Sequence, residues 1–383
     1  TRYSPVMDVL DLTRRLVAFD TVNPPGDERD CALFLAAILA EAGLTVHTHE
    51  FDDRRTSLVA TLPGGDTRQP LVLTGHLDVV PLGAAAWSFD PFVAEVADGR
   101  LYGRGTCDMK GAVAAMVVAA LRLARETRRQ APLQLVLTAG EERGCHGARH
   151  LCAQPGALAG AGAMLVGEPT GNRPCVAHKG ILRVAIAATG VTAHASMPER
   201  GDNAIFKAAA AALALRTFEF GVAPQPLLGR PTLNVGTIQG GLNINSVPDA
   251  ATLGVDIRTV AGQDEADVLE RLRRHLGTEV AIERLEGAAA IASDPDDSWV
   301  QGVLDVLADV QGRRPEPQSA PYFTDAAFLK PTLGEPPTLI LGPGEAEVAH
   351  TTDEYCAIAK LEEAVEIYTR VALDWCRTCA GGS

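Results

Sequence analysis

Three short apolar runs each stop at a side chain able to hold a cation, and this repetition constrains the fold more than any other feature of the sequence. Leu71 to Gly75 delivers His76, Leu133 to Ala139 delivers Gly140, Glu141 and Glu142, and Ala163 to Gly167 delivers Glu168. A fourth run, Thr338 to Leu341, leads through Gly-Pro-Gly to His350. Short apolar runs bounded by glycine have the pattern of strands buried on both faces of a parallel sheet. Open sheets of that kind gather ligands outside the carboxyl ends of their strands. Imidazole and carboxylate donors together suit zinc or a similar divalent ion. The implied chemistry is metal-dependent hydrolysis.

Composition narrows the alternatives. A chain of 383 residues, 46% of them apolar, is long enough for two domains with separate cores. Its 34 basic and 48 acidic residues leave a net charge of −14. Such a surface repels phosphate backbones and anionic lipid, and no basic run offsets it, so neither a nucleic-acid nor a membrane partner is expected. The alanine-rich segment from Gly111 to Ala124 is too short to span a bilayer and ends in charge. The opening Thr-Arg-Tyr-Ser-Pro lacks the apolar core of a secretion signal. Eight cysteines are scattered without the density of a disulfide framework, which fits a reducing cytoplasm. Cys376 and Cys379 have the spacing of a redox or zinc pair, but their surroundings offer no further ligands, so they read as incidental thiols.

Along the chain, amphipathic segments at about Val6 to Phe19 and Glu28 to Ala42 read as helices. Strands then alternate with helices through Gly167, which predicts an α/β domain whose mostly parallel sheet is covered by helices. Between Gly180 and Ala292 the order changes to β-α-β-β-α-β, the ferredoxin-like arrangement. The expected organisation is a discontinuous catalytic domain, residues 1–179 and 293–383, with an inserted α+β domain at 180–292. A helix at Asp297 to Gln311, the strand at Thr338 to Leu341 and a closing helix at Leu361 to Thr378 return the chain to the first domain.

The candidate residues differ in what they could do. His76 and Asp78 form His-Leu-Asp at a strand end, where a carboxylate two residues away can hold the second imidazole nitrogen. Asp108 lies in Gly-Arg-Gly-Thr-Cys-Asp-Met-Lys-Gly before an apolar helix, as an N-terminal cap or as a carboxylate aimed by the glycines around it at two cations. Adjacent glutamates usually mark a solvated surface, but Glu141 and Glu142 directly follow a buried strand. Successive residues there point to different sides, so one can bind metal while the other faces the attacking water. Asp108, Glu142 and Glu168 supply three negative charges, and a hydroxide shared by two dications would make the site neutral. His194, in Gly-Val-Thr-Ala-His-Ala-Ser-Met-Pro, is a packing residue or a donor to a developing oxyanion. Arg258 is a surface arginine or a clamp for a substrate carboxylate, and Asn245 a turn residue or a polar contact to substrate.

Five segments, Thr-Gly-His-Leu-Asp-Val-Val-Pro, Gly-Arg-Gly-Thr-Cys-Asp-Met-Lys-Gly, Gly-Glu-Glu, Val-Gly-Glu-Pro-Thr and Ala-His-Thr-Thr-Asp-Glu-Tyr, occur in this order between residues 70 and 355. Together they resemble the acetylornithine deacetylase and succinyl-diaminopimelate desuccinylase family of dizinc amidohydrolases and exopeptidases. The resemblance implies two zinc ions, replaceable by cobalt: His76 and Glu168 on one, Glu142 and His350 on the other, Asp108 between them. It implies Glu141 as general acid/base, Asp78 as the residue orienting His76, and a cis peptide at Asp108-Met109. It also implies that residues 180–292 act as lid and dimer interface, with His194 reaching the active site of a partner in a homodimer.

Val-Ala-His-Lys-Gly, Pro-Thr-Leu-Asn-Val-Gly, Asp-Ile-Arg and Leu-Gly-Pro-Gly look more like the deacetylase branch. The chain departs from that branch at Gly140, where many members carry an acidic residue, and in the run after His194. The expected substrate is a small N-acyl-L-amino acid, N2-acetyl-L-ornithine first. The alternatives are succinyl-diaminopimelate, a small peptide cleaved by a carboxypeptidase or dipeptidase, or a non-catalytic metal-binding protein. Retention of every proposed ligand and of the base weighs against the last.

Overall fold

The computed structural model describes residues 7–65, 67–126 and 129–377, so Cys379 of the C-terminal cysteine pair lies outside the described residues. The chain forms two compact units. The first takes the described residues up to Val176, together with Ser293–Ala320 and those from Thr324 onward; the second takes Ala177–Ala292 and Pro321–Phe323.

The first unit opens with helices α1 (Val9–Val17) and α2 (Arg29–Glu41) and strands β1 (Thr45–Asp52), β2 (Arg55–Leu62) and β3 (Leu71–His76). A small hairpin, β4 (Glu95–Ala97) and β5 (Arg100–Tyr102), precedes α3 (Lys110–Ala124), β6 (Leu133–Thr138), α4 (His146–Ala153), β7 (Ala163–Val166) and β8 (Cys175–His178). The expected alternation is therefore interrupted twice, because β1 with β2 and β4 with β5 are antiparallel hairpins. The second of these turns on Asp98 and Gly99, both left-handed, as a two-residue Asp-Gly turn requires.

In the second unit, β9 (Gly180–Thr189), α5 (Ala204–Leu215), β10 (Thr232–Gly240), β11 (Ala250–Thr259), α6 (Glu265–Leu276) and β12 (Val280–Ala288) follow one another, and a short β13 (Ile291–Ala292) ends it. The sheet order β10-β11-β9-β12, antiparallel throughout, is the ferredoxin-like order. Its core is periodic. Leu182, Val184 and Ile186 alternate along β9, and Ala204, Ala208, Ala211 and Leu215 line one stripe of α5. The Asn203 side chain accepts hydrogen bonds from the Ile205 and Phe206 N–H groups at the start of α5, and Asp264 accepts from Ala266 at the start of α6.

The returning chain supplies α7 (Ser298–Gln311), β14 (Gln318–Ala320), α8 (Ala326–Thr332), β15 (Thr338–Ile340), β16 (Tyr355–Ala357) and α9 (Ile358–Arg377). The large sheet has the order β1-β2-β6-β3-β7-β15-β8-β13, with β14 paired to β8. Its four middle strands, β6, β3, β7 and β15, are parallel neighbours, and antiparallel strands flank them. Every residue of these four is buried, which explains why apolar side chains predominate in them without period-two alternation. Parallel alignment puts their carboxyl ends on one edge, the edge from which His76, Glu141, Glu142 and Glu168 emerge. The largely buried α3 packs on β3 and β6 and against α9, and the Tyr368 hydroxyl of α9 donates to the Leu341 carbonyl at 2.6 Å. Among the described residues no helix is long and apolar enough to cross a membrane.

Beyond β15, Gly342 lies against the chain that leaves β7. A Cβ at Gly342 would meet the carbonyl oxygens of Gly167 at 2.0 Å and Glu168 at 2.5 Å, so backbone would have to move. Gly342→Ala is expected to destabilise the protein by about 3 kcal/mol, the upper end of overpacking costs. Denaturant titration with an unchanged slope checks this; an unaltered midpoint would contradict the packing described.

Candidate metal centre

His76 ends β3 with its ring almost wholly buried. Its Nδ1 lies 2.9 Å from the carbonyl oxygen of Asp78, which can only accept, so Nδ1 carries the proton. Nε2 faces Asp108 Oδ1 at 3.0 Å and Glu168 Oε1 at 3.8 Å. The Asp78 carboxylate does not make the expected bond to the imidazole, its Oδ1 standing 3.6 Å from Nδ1. It accepts instead from the backbone N–H groups of Glu141 at 3.0 Å and Glu142 at 3.2 Å, and from the Asn23 amide at 2.9 Å. Asp78 thus orients His76 through its peptide carbonyl, and its side chain pins the loop that carries the glutamate pair.

Asp108 does not cap α3. The cap position is Met109, without a side-chain cap bond, and the Asp108–Met109 peptide is cis. The two Asp108 oxygens face opposite partners, Oδ1 towards His76 and Oδ2 towards His350 Nε2 at 3.3 Å. The loop that aims this carboxylate is held by Glu354. Its Oε1 accepts from the N–H groups of Gly105, Cys107 and Asp108 at 2.9, 2.9 and 3.1 Å, and its Oε2 pairs with buried Arg104. Glu142 Oε1 lies 3.0 Å from His350 Nε2, and His350 itself is left-handed, with φ 65°.

The glutamate pair follows Gly140, which is also left-handed, and a Cβ there would approach the Arg55 guanidinium at 2.7 Å. Glycine at this position, where an acidic residue was the comparison, leaves room for the buried bidentate pair between Arg55 and Glu28, at 2.7 and 2.9 Å.

Two donor groups result. Ligand atoms of His76, Asp108 and Glu168 lie within 4.8 Å of one another, as do those of Asp108, Glu142 and His350. Each group offers one imidazole nitrogen and carboxylate oxygens, the donor set of zinc and similar ions, and Asp108 belongs to both. The side chains present therefore fit a pair of divalent cations.

The electrostatics agree with a centre built for positive charge. Burial, and then the charge of Asp108, push Glu168 well above the usual carboxylate range and Glu142 above it. Burial, with Glu168 next, pushes Glu141 well up. Burial opposes a charged His76, but Asp108, Glu168 and Asp78 overcome that and raise it well above its ordinary value. His350, hydrogen-bonded to Asp108 and Glu142, is raised to about 10. Burial opposes ionisation of Asp108, yet His350 and His76 hold it below the usual range. The imidazoles take up protons to offset the buried carboxylates.

The second unit carries the other candidates. His194 is exposed, and its Nδ1 receives the Ser196 N–H at 3.2 Å, with the Ser196 hydroxyl at 2.7 Å. Arg258 is half-buried and pairs with Asp256 at 2.7 Å, a carboxylate it shares with Arg183. Asn245 is exposed, its carbonyl accepting from the Ala195 N–H at 3.1 Å. Sequence reasoning did not single out the role of Glu354, nor Asn23, Asp325 or Cys145. Glu354 stands four residues after His350 in a segment already marked by the resemblance, but one acidic residue among loop residues carries no periodic signal of burial.

Residues 72–374 match Peptidase family M20/M25/M40. An acetylornithine deacetylase from Proteus mirabilis (strain HI4320) is 31% identical over 386 residues, covering 96% of each chain. A probable succinyl-diaminopimelate desuccinylase from Staphylococcus epidermidis is 28% identical over 396 residues, covering 95% of this chain and 96% of the relative. An M20 family metallo-carboxypeptidase from Sulfolobus solfataricus shares the fold, with a TM-score of 0.79 over 96% of this chain and 99% of that one at 18% identity.

The cation-free protein should lose stability as pH rises. Raised carboxylates such as Glu142 contribute stability that is complete below their ordinary value of 4.5 and is lost as pH climbs through the folded value. Raised His350 acts with the same sign, its contribution complete below 6.5 and lost on approach to about 10. Asp108, held low, has the opposite sign, its contribution lost only at acid pH below 3.8. Melting curves with chelator should therefore fall in temperature from mildly acidic to mildly alkaline pH, and divalent cation should abolish most of that fall. A flat profile in chelator would contradict the electrostatics.

Proposed function

We propose that this chain, which belongs to peptidase family M20/M25/M40, hydrolyses the amide bond of an N-acyl-L-amino acid with two zinc ions bound, N2-acetyl-L-ornithine being the foremost substrate. The observation that carries this is the sharing of Asp108 between two three-residue donor groups with Glu141 beside them. His76 and Glu168 would hold one ion and Glu142 and His350 the other, with Asp108 common to both groups. When bound, the ions polarise the scissile carbonyl and lower the pKa of the attacking water.

Glu141 takes the proton from that water and passes it to the leaving amine. Its burial raises its proton affinity, which suits a group that must hold a proton between two steps. The Asp78 carboxylate keeps the Glu141 backbone in place meanwhile. His194, accepting at Nδ1, carries its proton on Nε2 and is thereby a donor for the oxyanion. Arg258 takes the substrate carboxylate in exchange for Asp256, and Asn245 adds a polar contact.

Residues 180–292 serve as lid and as the interface of a homodimer, a role supported by the exposed Phe206, Leu213 and Ile238. A cytoplasmic setting is supported by the free thiols of all the described cysteines. The products are acetate and ornithine. The assignment to acetyl-ornithine draws on the 31% identical relative, and the 28% identical one makes succinyl-diaminopimelate the second reading.

Steady-state rates on acetyl-ornithine, succinyl-diaminopimelate, acetyl-methionine and a dipeptide should rank acetyl-ornithine first by at least about tenfold in kcat/KM. A preference for either of the last two, or for the succinyl compound, would replace the substrate assignment. Glu141→Gln should retain both metal equivalents and lose about 100- to 10,000-fold in kcat. Turnover near that of the unaltered enzyme would remove Glu141 from its role.

A further inference from the structure

Beside the two donor groups lies a third, which the proposed reaction uses only in part. Cys145, fully buried, stands at the start of α4 with its Sγ 3.7 Å from Glu141 Oε1. Asp325 reaches the same place from the start of α8 and is only 2% exposed. One of its oxygens, Oδ2, receives the Thr138 hydroxyl at the end of β6. The other, Oδ1, is buried, and among the described residues the only further side chain that bonds this carboxylate is the Cys145 thiol, a weak donor. A buried carboxylate met only by a hydroxyl and a thiol is costly and leaves room for a positive partner. One ligand atom from each of Glu141, Cys145 and Asp325 lies within 4.8 Å of the others. In zinc's tetrahedral geometry, bonds to sulfur and oxygen of about 2.3 and 2.1 Å put two ligand atoms about 3.5 Å apart. The Cys145–Glu141 separation of 3.7 Å already suits an ion, and the remaining ligand atoms close by side-chain shifts of at most about 1 Å.

We propose that Glu141, Cys145 and Asp325 form a separate, inhibitory site for a thiophilic divalent cation such as zinc or cobalt(II). The donor set differs in kind from the other two, because it replaces imidazole by sulfur and so favours zinc and cobalt over magnesium or calcium. Binding forms a metal–sulfur bond and breaks the S–H bond, the proton leaving to solvent, with no change of oxidation state. The same ion takes an oxygen of Glu141, so a filled site withdraws the residue that moves the proton. This inhibition, though not the binding, rests on the role proposed for Glu141.

The test uses the full chain loaded with two equivalents of cobalt(II) and titrated with more. The first two groups contain no cysteine, so cobalt there gives no thiolate charge-transfer absorption in the near ultraviolet. A third equivalent should bring up that absorption and suppress turnover together. Cys145→Ser should lack the absorption, and Cys145→Ser and Asp325→Asn should each need at least about tenfold more free cation for half-inhibition, since even outer-shell partners are worth that much in affinity. Failure of the absorption to appear in the unaltered protein, or its survival with full inhibition in Cys145→Ser, overturns the proposal. The absorption is read without turnover, so it is judged apart from the role of Glu141.

Discussion

Buried negative charge is the constraint on which the active edge of this molecule depends. Asp108, Glu141, Glu168 and Asp325 are all under one-tenth exposed, and so is the side chain of Glu142. Removing carboxylates from water is expensive unless positive charge meets them. Within the polypeptide the answer is partial. His76 and His350 are drawn towards their charged forms, and Glu141, Glu142 and Glu168 are pushed towards their neutral ones. A pair of dications would resolve the conflict at the positions where the imidazoles now act, which is why the same groups that make the cation-free protein sensitive to pH make it a metal centre.

Two other carboxylates work differently. Asp78 and Glu354 face backbone N–H groups and make charge-assisted bonds that hold loops. Asp78 fixes the strand end of β6 to that of β3, and Glu354 fixes the loop before α3. These loops must depart from regular structure to aim their side chains, and a buried carboxylate satisfies several exposed N–H groups at once. The geometry at Asp108 and at the glutamate pair is therefore set by carboxylates that belong to neither of the two donor groups.

Much of this was legible along the chain. The runs before His76, Glu141 and Glu168 have the length and bounds of buried strands, and they are strands. Asn203 and Asp264 cap helices, as their position before periodic apolar residues suggests. The hairpin of β1 and β2 was not legible as such, since its turn at Asp53 and Arg54 lacks a glycine signal and β2 is almost wholly buried. Nor was the work of the Asp78 carboxylate, because a two-residue spacing from His76 permits contact with the ring without requiring it. Asp325 and Cys145 are single polar residues at helix starts, a setting in which capping is the ordinary reading.

By itself the sequence determined which donors exist, that His76, Glu142 and Glu168 follow strand ends, and that the middle segment folds with a different strand and helix order, because burial patterns and capping are local properties of the chain. Only the tertiary structure decided that β6, β3, β7 and β15 are parallel neighbours, an order that does not follow the chain, and that Asp108 turns one oxygen to His76 and the other to His350. Strand pairing and the convergence of buried charges depend on hydrogen bonds and packing between residues far apart in sequence, and no local pattern encodes those distances.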